Sequence, residues 1–358
     1  MSSASPSAVD VDLVRRTNNF DALRLLAALG VVVGHGHILV GAPGPVPSVL
    51  GLPSHYFGVS VFFAISGWLI TGSWERSRSV PLYVVSRALR ILPLLWLVVL
   101  VSVLVLGPVM TTLPLGRYLA SGQTWRYLVN LVLLPADGLP GVFDAVPYAG
   151  VVNGSVWTLR AEVICYGVVL ALGLSRRRVL QTAGFAAFAL LAVVLVEIGD
   201  VRVVGSSLSG AGTTWVYFAV AALMRLHLPR RWLRLDVAAG VVVAWAAVGA
   251  VGGGPASGRF SWVALPYVVL AVGLASWPGV RRAARFGDLS YGMYLWAFPV
   301  QQVLVASVGP MPFVVDVLAV AAVCAALSYG TWHLLENPAI HLRERWFARE
   351  PVAAGRPG

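Results

Sequence analysis

Two ionisable side chains in the first apolar segment of the chain share one helix face. Arg24 and His35 are eleven residues apart, close to three whole turns of an α-helix, so they would stand about 16 Å apart on one stripe. Each such group costs about 2.5–3.5 kcal/mol or more at the centre of a bilayer, which makes packing a poor reason to keep both. We therefore predict that Arg24 and His35 belong to a catalytic site, with the imidazole as the candidate general base.

A carboxylate lies at a similar expected depth in a later apolar segment. Glu162 is about seven residues below the outer end of its segment and His35 about five below, which corresponds to depths of roughly 7–10 Å. A carboxylate beside an imidazole fixes its tautomer and stabilises the imidazolium, so we expect Glu162 to assist His35. The alternatives are structural, because a membrane histidine can simply bond across helices and a glutamate can pair with an arginine.

Two further arginines begin the third apolar segment within the sequence SRALRILP. Arg87 and Arg90 are three residues apart and therefore share a helix face. Their planar guanidinium groups suit a ligand that carries phosphate, which they can bind in a bidentate manner. The alternative is that they only mark the cytoplasmic end of a membrane span.

The elements that position these residues follow from the composition. The chain has 358 residues, of which 58% are hydrophobic and 11% charged, against about 25% charged in a soluble domain. A water-soluble protein is thereby excluded. Arginine supplies every basic residue, so a phosphate-loop NTPase and Schiff-base chemistry each lack their lysine. We expect no nucleic-acid partner, because the net charge of +11 comes from arginines that lie between apolar segments. We also expect no metal site, because both cysteines lie inside apolar segments and His35 and His37 are only two residues apart.

About ten segments are long and apolar enough to cross a bilayer as helices. The chain is therefore predicted to be an all-α integral membrane protein with a single helix bundle. The segments comprise residues 21–40, 56–74, 91–109, 155–174, 179–198, 211–226, 236–252, 260–278, 288–308 and 312–335. The shorter apolar stretch 126–135 ends at a proline and is interpreted as a re-entrant or interfacial piece.

The distribution of arginine predicts which side each connection faces. With both termini in the cytoplasm, 20 of the 26 arginines fall in cytoplasmic connections and tails, as the positive-inside rule requires. The predicted organisation is a cytoplasmic tail (1–20), a transmembrane domain (21–336) and a second cytoplasmic tail (337–358). We expect no signal peptide. The long outer connection 110–154 is large enough to shape an acceptor site.

Several segments together resemble the membrane acyltransferase-3 family, whose members acylate hydroxyl groups of bacterial surface glycans. The similarity covers nearly the whole chain in the same order, although Ala297 stands where the family often has histidine. The matching segments are NNFDALRLLAALGVVVGHGH, with its arginine, ten residues and histidine, then FGVSVFFAISGWLITGS, SRALRILPLLW, NGSVWTLRAEVICY, DLSYGMYLWAFPV and SYGTWHLLENPAIHL.

The resemblance implies a multi-pass enzyme of the inner or plasma membrane. Such an enzyme transfers an acyl group, usually acetyl, from cytoplasmic acyl-CoA to a carbohydrate or glycolipid, and acyl-CoA is a substrate rather than a bound cofactor. By this resemblance His35 handles the proton or the acyl group, Arg24 and Glu162 assist it, and Arg87 and Arg90 contact the donor phosphates. The other classes that the residues allow are a carrier or flippase for a polar substrate and a structural membrane scaffold.

Overall fold

The structure is a computed structural model that describes residues 18–199, 201–203, 206–309 and 311–347. Helices make up most of this part of the chain. The two short strand pairs in it are antiparallel hairpins, β1 (Ser48–Val49) with β2 (Leu52–Pro53) and β3 (Arg202–Val203) with β4 (Ser206–Ser207). The predicted all-α class is confirmed.

The helices are numbered in chain order. The first group is α1 (Phe20–Leu39), α2 (Ser54–Ser77), α3 (Val80–Val101), α4 (Gly107–Met110), α5 (Leu115–Ala120), α6 (Gly122–Arg126) and α7 (Trp157–Leu174). The second group is α8 (Arg178–Ile198), α9 (Leu208–His227), α10 (Leu235–Leu274), α11 (Ser290–Val308), α12 (Phe313–Thr331) and α13 (Asn337–Phe347). π-Helical turns at Ser102–Leu106 and Trp332–Glu336 join α3 to α4 and α12 to α13, and 3₁₀ turns lie at Tyr127–Val132, Arg230–Trp232 and Val280–Phe286.

Seven helices in the described part of the chain are long and apolar enough to cross a membrane. Helices α9 and α11 also have the length of a span but lie outside this set. Both carry polar residues that are buried among neighbouring helices, such as Thr214, Gln301 and Gln302, and such positions lower the hydropathy. The chain is thus a multi-pass membrane protein, while the count of ten crossings stays a prediction. Residues 1–17 of the first predicted tail and 348–358 of the second lie outside the described residues.

Helix α10 contains an internal break between two of the predicted segments. Gly253 has φ 69° and ψ −168° in an otherwise helical run of 40 residues. A positive φ suits glycine because it has no Cβ. The predicted segments 236–252 and 260–278 therefore lie in two helices that meet at this residue.

Close packing of α2 against its neighbours depends on two glycines. A Cβ on Gly58 would lie 2.3 Å from the carbonyl oxygen of Ala27 in α1, and one on Gly67 would lie 2.2 Å from the carbonyl oxygen of Phe218 in α9. Small residues allow helix backbones in a membrane to approach in this way. Helix α2 is consequently held between α1 and α9 at the centre of the bundle.

Helix α3 begins earlier than the apolar segment predicted. Its first residue is Val80, and the side chain of Ser79 accepts a hydrogen bond from the backbone N–H of Leu82. Pro81 lies in the first turn, where its missing N–H is not needed. Arg87 and Arg90 therefore lie within the helix rather than at its beginning. The prediction placed them at the beginning because hydropathy detects only the apolar part of the helix.

The long connection between α4 and α7 is tied to α11. Gln302 donates hydrogen bonds of 2.8 Å to the carbonyl oxygens of Tyr148 and Val151, and Asn153 donates one of 3.0 Å to that of Leu295. This part of the connection therefore packs on the bundle. The stretch 126–135, predicted as a re-entrant or interfacial piece, begins at the last residue of α6 and contains the 3₁₀ turn Tyr127–Val132.

Candidate active site

Two cavities lie next to each other within the bundle and share part of one wall. The arginine cavity, of about 730 Å³, is lined among others by Arg24, Arg87, Arg90 and Glu162. The histidine cavity, of about 700 Å³, is lined by residues that include His35. The residues common to both linings are Val59, Thr158 and Tyr294.

Helix α1 contributes to both cavities. Arg24 lines the arginine cavity and His35 the histidine cavity, about 16 Å apart along the helix by the rise per residue. The guanidinium group of Arg24 pairs with Asp21 one turn earlier, at 3.3 Å. The stripe derived from the spacing therefore faces two chambers rather than one. His37 packs edge-on against Phe313 and lines neither cavity.

The common wall of the cavities is a network of hydroxyl groups between α7 and α11. The Thr158 and Tyr294 hydroxyls lie 2.5 Å apart. Both also lie within hydrogen-bond distance of the backbone carbonyl oxygen of Ser155, at 3.0 and 3.1 Å, so that one hydroxyl donates to this carbonyl while the other donates to its neighbour or to the same carbonyl. These bonds hold the beginning of α7 against α11 at the point where the two cavities meet.

Glu162 belongs to the arginine cavity. Its Oε1 accepts hydrogen bonds from Ser66 at 3.0 Å and from the Tyr166 hydroxyl at 2.6 Å. The sequence predicts that Glu162 and His35 lie at a similar depth in the membrane. In the structure, the part of α7 that lines the histidine cavity includes Trp157, the first residue of the helix. Glu162 therefore lies more than one helical turn further along α7, and the structure does not bring it into the cavity that His35 lines.

The two arginines of α3 have different surroundings. The Arg87 guanidinium lies 5.9 Å from the centre of the Tyr166 ring, and its Nε is buried without a hydrogen-bond partner. Among the described residues no carboxylate lies within 4.0 Å of it. Arg87 therefore lines the cavity without a carboxylate in direct contact, and its guanidinium group suits an anionic ligand.

Arg90, in contrast, is held by two carboxylates. Its guanidinium lies 2.6 Å from Asp288 and 3.6 Å from Glu336. Both carboxylates are buried, with side-chain exposures of 9% and 3%. The second lies in the π-helical turn before α13, so Arg90 links α3 to the C-terminal part of the described chain. The shared helix face predicted for Arg87 and Arg90 is present, but their charges are not equally available.

His35 is surrounded by rings. The centroid of its imidazole lies 5.4 Å from that of Phe298 and 5.6 Å from that of His55. Its Nδ1 is buried, and the imidazole has no hydrogen bond to another described residue. The remaining aromatic lining is supplied by Tyr56, Tyr148, Trp157 and Tyr294. An imidazole with free hydrogen-bonding capacity in such a chamber can bind a hydroxyl group and accept its proton.

Some residues at the cavities were given no role from the sequence. Tyr166, Thr158 and Tyr294 all occupy positions of the segments NGSVWTLRAEVICY and DLSYGMYLWAFPV, so the motifs contained a signal for them. His55 stands outside those segments, and as a lone histidine next to an apolar run it gave none. Ala297, at the position where the resemblance had suggested histidine, is fully buried and lines neither cavity.

The chain is similar to known proteins over most of its length. A family model for an acyltransferase domain of the acyltransferase-3 type matches residues 17–333. A protein named O-acetyl transferase from Shigella phage Sf6 is 29% identical over 333 residues, which cover 90% of this chain and 96% of that protein. Nodulation protein 10 of Rhizobium leguminosarum bv. viciae is 30% identical over 373 residues, which cover 93% and 95%. No solved structure matches the chain.

Proposed function

Because the chain belongs to the acyltransferase-3 family and is an acyltransferase, we propose that it moves an acyl group from cytoplasmic acyl-CoA to a hydroxyl of a carbohydrate acceptor. Acetyl is the proposed group, since one relative is named an O-acetyl transferase. The proposed acceptors are cell-envelope glycans such as exopolysaccharide or lipopolysaccharide.

The observation that carries the proposal is the arrangement of the two cavities. A cavity in which the guanidinium group of Arg87 has no ion-pair partner within 4.0 Å among the described residues adjoins a chamber in which the imidazole of His35 has no hydrogen bond to another described residue. A donor with phosphates at one end and a thioester at the other requires both environments. The wall formed by Thr158 and Tyr294 is the point at which the thioester would pass from one cavity to the other.

On the donor side, Arg87 is the proposed phosphate contact. Arg90 has two carboxylate partners, so its proposed contribution is to fix α3 and thereby the position of Arg87. Glu162 bonds to Tyr166, whose ring faces the Arg87 guanidinium. We therefore assign Glu162 to the shaping of the donor cavity, and Arg24, with its ion pair to Asp21, to the lining of the same cavity.

In the transfer step His35 acts as the general base. Its imidazole removes the proton from the acceptor hydroxyl while that oxygen attacks the thioester carbonyl carbon. A C–O bond forms, the C–S bond breaks, and the thiolate of CoA receives the proton from the imidazolium. The products are an O-acylated acceptor and free CoA, and the imidazole returns to its neutral form.

The proposed topology has ten crossings with both termini in the cytoplasm of an inner or plasma membrane. Every predicted segment overlaps a helix, and the break at Gly253 divides α10 between two of them. The cytoplasmic excess of arginine supports this orientation. The arginine cavity then faces the acyl-CoA pool, and the histidine cavity lies towards the outer surface with its acceptor.

The proposal is tested by acyl transfer from radiolabelled acetyl-CoA, with protein purified in lipid nanodiscs. His35→Ala should lose 10²- to 10⁴-fold in kcat because the general base is removed. His37→Ala is the matched control on the same helix and should stay near wild-type activity. Near-normal transfer by a well-folded His35→Ala protein would contradict the assignment of the base. Absence of labelled product from wild-type protein with every carbohydrate offered would contradict the function.

A further inference from the structure

A second histidine lines the histidine cavity opposite the proposed base. His55 is the second residue of α2, and its ring is tilted by 35° to that of His35 with the centroids 5.6 Å apart. Within the part of the chain that the structure describes, neither imidazole is hydrogen-bonded to another residue. Each ring therefore has hydrogen-bonding capacity that no described residue uses.

The position of His55 is built into the fold. A Cβ at Gly34 would lie 2.6 Å from both the backbone nitrogen and the Nδ1 of His55, so α2 reaches α1 here only because residue 34 is glycine. The hairpin before α2 is anchored as well, since Ser257 donates a hydrogen bond of 2.6 Å to the carbonyl oxygen of Leu50. Because Nδ1 is packed against α1, the Nε2 edge of the imidazole is the edge available to a ligand.

The cavity combines this pair of imidazoles with flat apolar surfaces. The rings of Tyr148, Trp157 and Phe298 line it together with the two histidines. A hydroxyl group can either donate or accept a hydrogen bond, so it can pair with the accessible nitrogen of an imidazole in either tautomer. Buried polar groups need such partners, because an unmade bond costs about 1–3 kcal/mol. A polyhydroxylated ring with apolar faces matches this combination of groups.

We propose that His55 binds the acceptor through a hydroxyl group and thereby selects polyhydroxylated acceptors. The inference rests on the proposed function, in which His35 receives the proton of the hydroxyl that is acylated. His55 contributes affinity, and its partner is a hydroxyl group at another position of the same sugar ring. The acceptor is thus held at two points, and the position of the second hydroxyl determines which one faces His35.

The experiment uses nanodisc-embedded protein, acetyl-CoA and a set of methyl hexopyranosides with their monodeoxy analogues. His55→Phe keeps a ring but removes the nitrogens, and it should raise the acceptor KM by about 10- to 100-fold. The kcat should stay within a few-fold and the KM for acetyl-CoA should not change. His55→Gln places an amide near the Nε2 position and should recover much of the affinity. His227→Phe makes the same exchange at an exposed histidine that lines neither cavity, and it is the control.

The deoxy analogues identify the hydroxyl that His55 contacts. One analogue should bind the wild-type protein as weakly as the parent sugar binds His55→Phe, and the variant should lose nothing further with it, since coupled partners are non-additive. An unchanged acceptor KM in both His55 variants, folded by thermal melting, would overturn the inference. So would a fall in kcat alone, which would make His55 part of the transfer step.

Failure of the proposed function is a different result. If wild-type protein acylates no glycoside, the carbohydrate acceptor is contradicted and this inference falls with it. If wild-type protein transfers the acetyl group and the His55 variants do so with unchanged KM, only the role of His55 is contradicted.

Discussion

Replacing Arg90 should destabilise the protein far more than replacing Arg87, although the two lie three residues apart on one helix. Arg90 compensates two buried carboxylates, Asp288 at 2.6 Å and Glu336 at 3.6 Å. Arg90→Gln removes the positive charge and leaves both carboxylates in a nonaqueous environment. Removing one partner of a buried ion pair typically lowers the free energy of unfolding by about 3–5 kcal/mol, because the remaining buried charge is uncompensated.

The expected shift in melting temperature follows from the size of the chain. With an unfolding entropy of about 2.1 cal/mol/K per residue, a loss of about 3–5 kcal/mol corresponds to a fall in Tm of roughly 4–7 °C. Arg87→Gln is the matched comparison, because its described contact is the face of the Tyr166 ring. It should change the free energy of unfolding by about 1 kcal/mol or less, which is a shift in Tm of roughly 1 °C, and should instead raise the KM for acetyl-CoA.

The assay is thermal unfolding of the purified variants in one detergent, together with the KM for acetyl-CoA. A triple variant, Arg90→Gln with Asp288→Asn and Glu336→Gln, should recover part of the lost stability because no uncompensated charge remains. An Arg90→Gln protein with wild-type Tm and weakened donor affinity would contradict the stabilising role of Arg90. Arg90 would then be a donor ligand rather than a link between helices.

Three other changes test separate parts of the structure. Glu162→Gln should raise the KM for acetyl-CoA about 5- to 30-fold and leave the acceptor KM unchanged, since its bonds are on the donor side; an equal rise in both would contradict this. Gly58→Ala places a Cβ 2.3 Å from the Ala27 carbonyl oxygen and should lower the free energy of unfolding by about 1–3 kcal/mol, measured by thermal unfolding. Gly240→Ala is the control, because no atom lies within 4 Å of the new Cβ, and it should not lower the free energy of unfolding. Gln302→Ala frees the connection before α7 and should speed its amide hydrogen exchange relative to the helices; unchanged exchange would show that other contacts hold it.

The helices were predictable from the sequence where apolar length decides their existence. All ten predicted segments overlap helices, and the break in α10 falls at a run of glycines. The beginning of α3 was not predictable from hydropathy, because its first turns are amphipathic and are set by Ser79 and Pro81. The polar character of α11 has a related cause, since its side chains face other helices rather than lipid.

The candidate site was predictable in its residue types but not in its grouping. The spacing of Arg24 and His35 gave one stripe, yet only the structure divides it between two cavities. The partners of Arg90 are about 200 or more residues away in the chain, and periodicity within a segment contains no information about them. His55 depends on a close approach at Gly34, which no spacing within one helix reveals.

Transfer of the acetyl group across the membrane can be measured directly in sealed inverted membrane vesicles. Radiolabelled acetyl-CoA is supplied outside, at the cytoplasmic face, and a methyl hexopyranoside is trapped in the lumen. We expect labelled ester on the trapped glycoside with wild-type protein and with His37→Ala, and none above background with His35→Ala. Wild-type vesicles that leave the trapped glycoside unlabelled, or that label it only when acetyl-CoA is placed in the lumen, would contradict transfer across the two cavities.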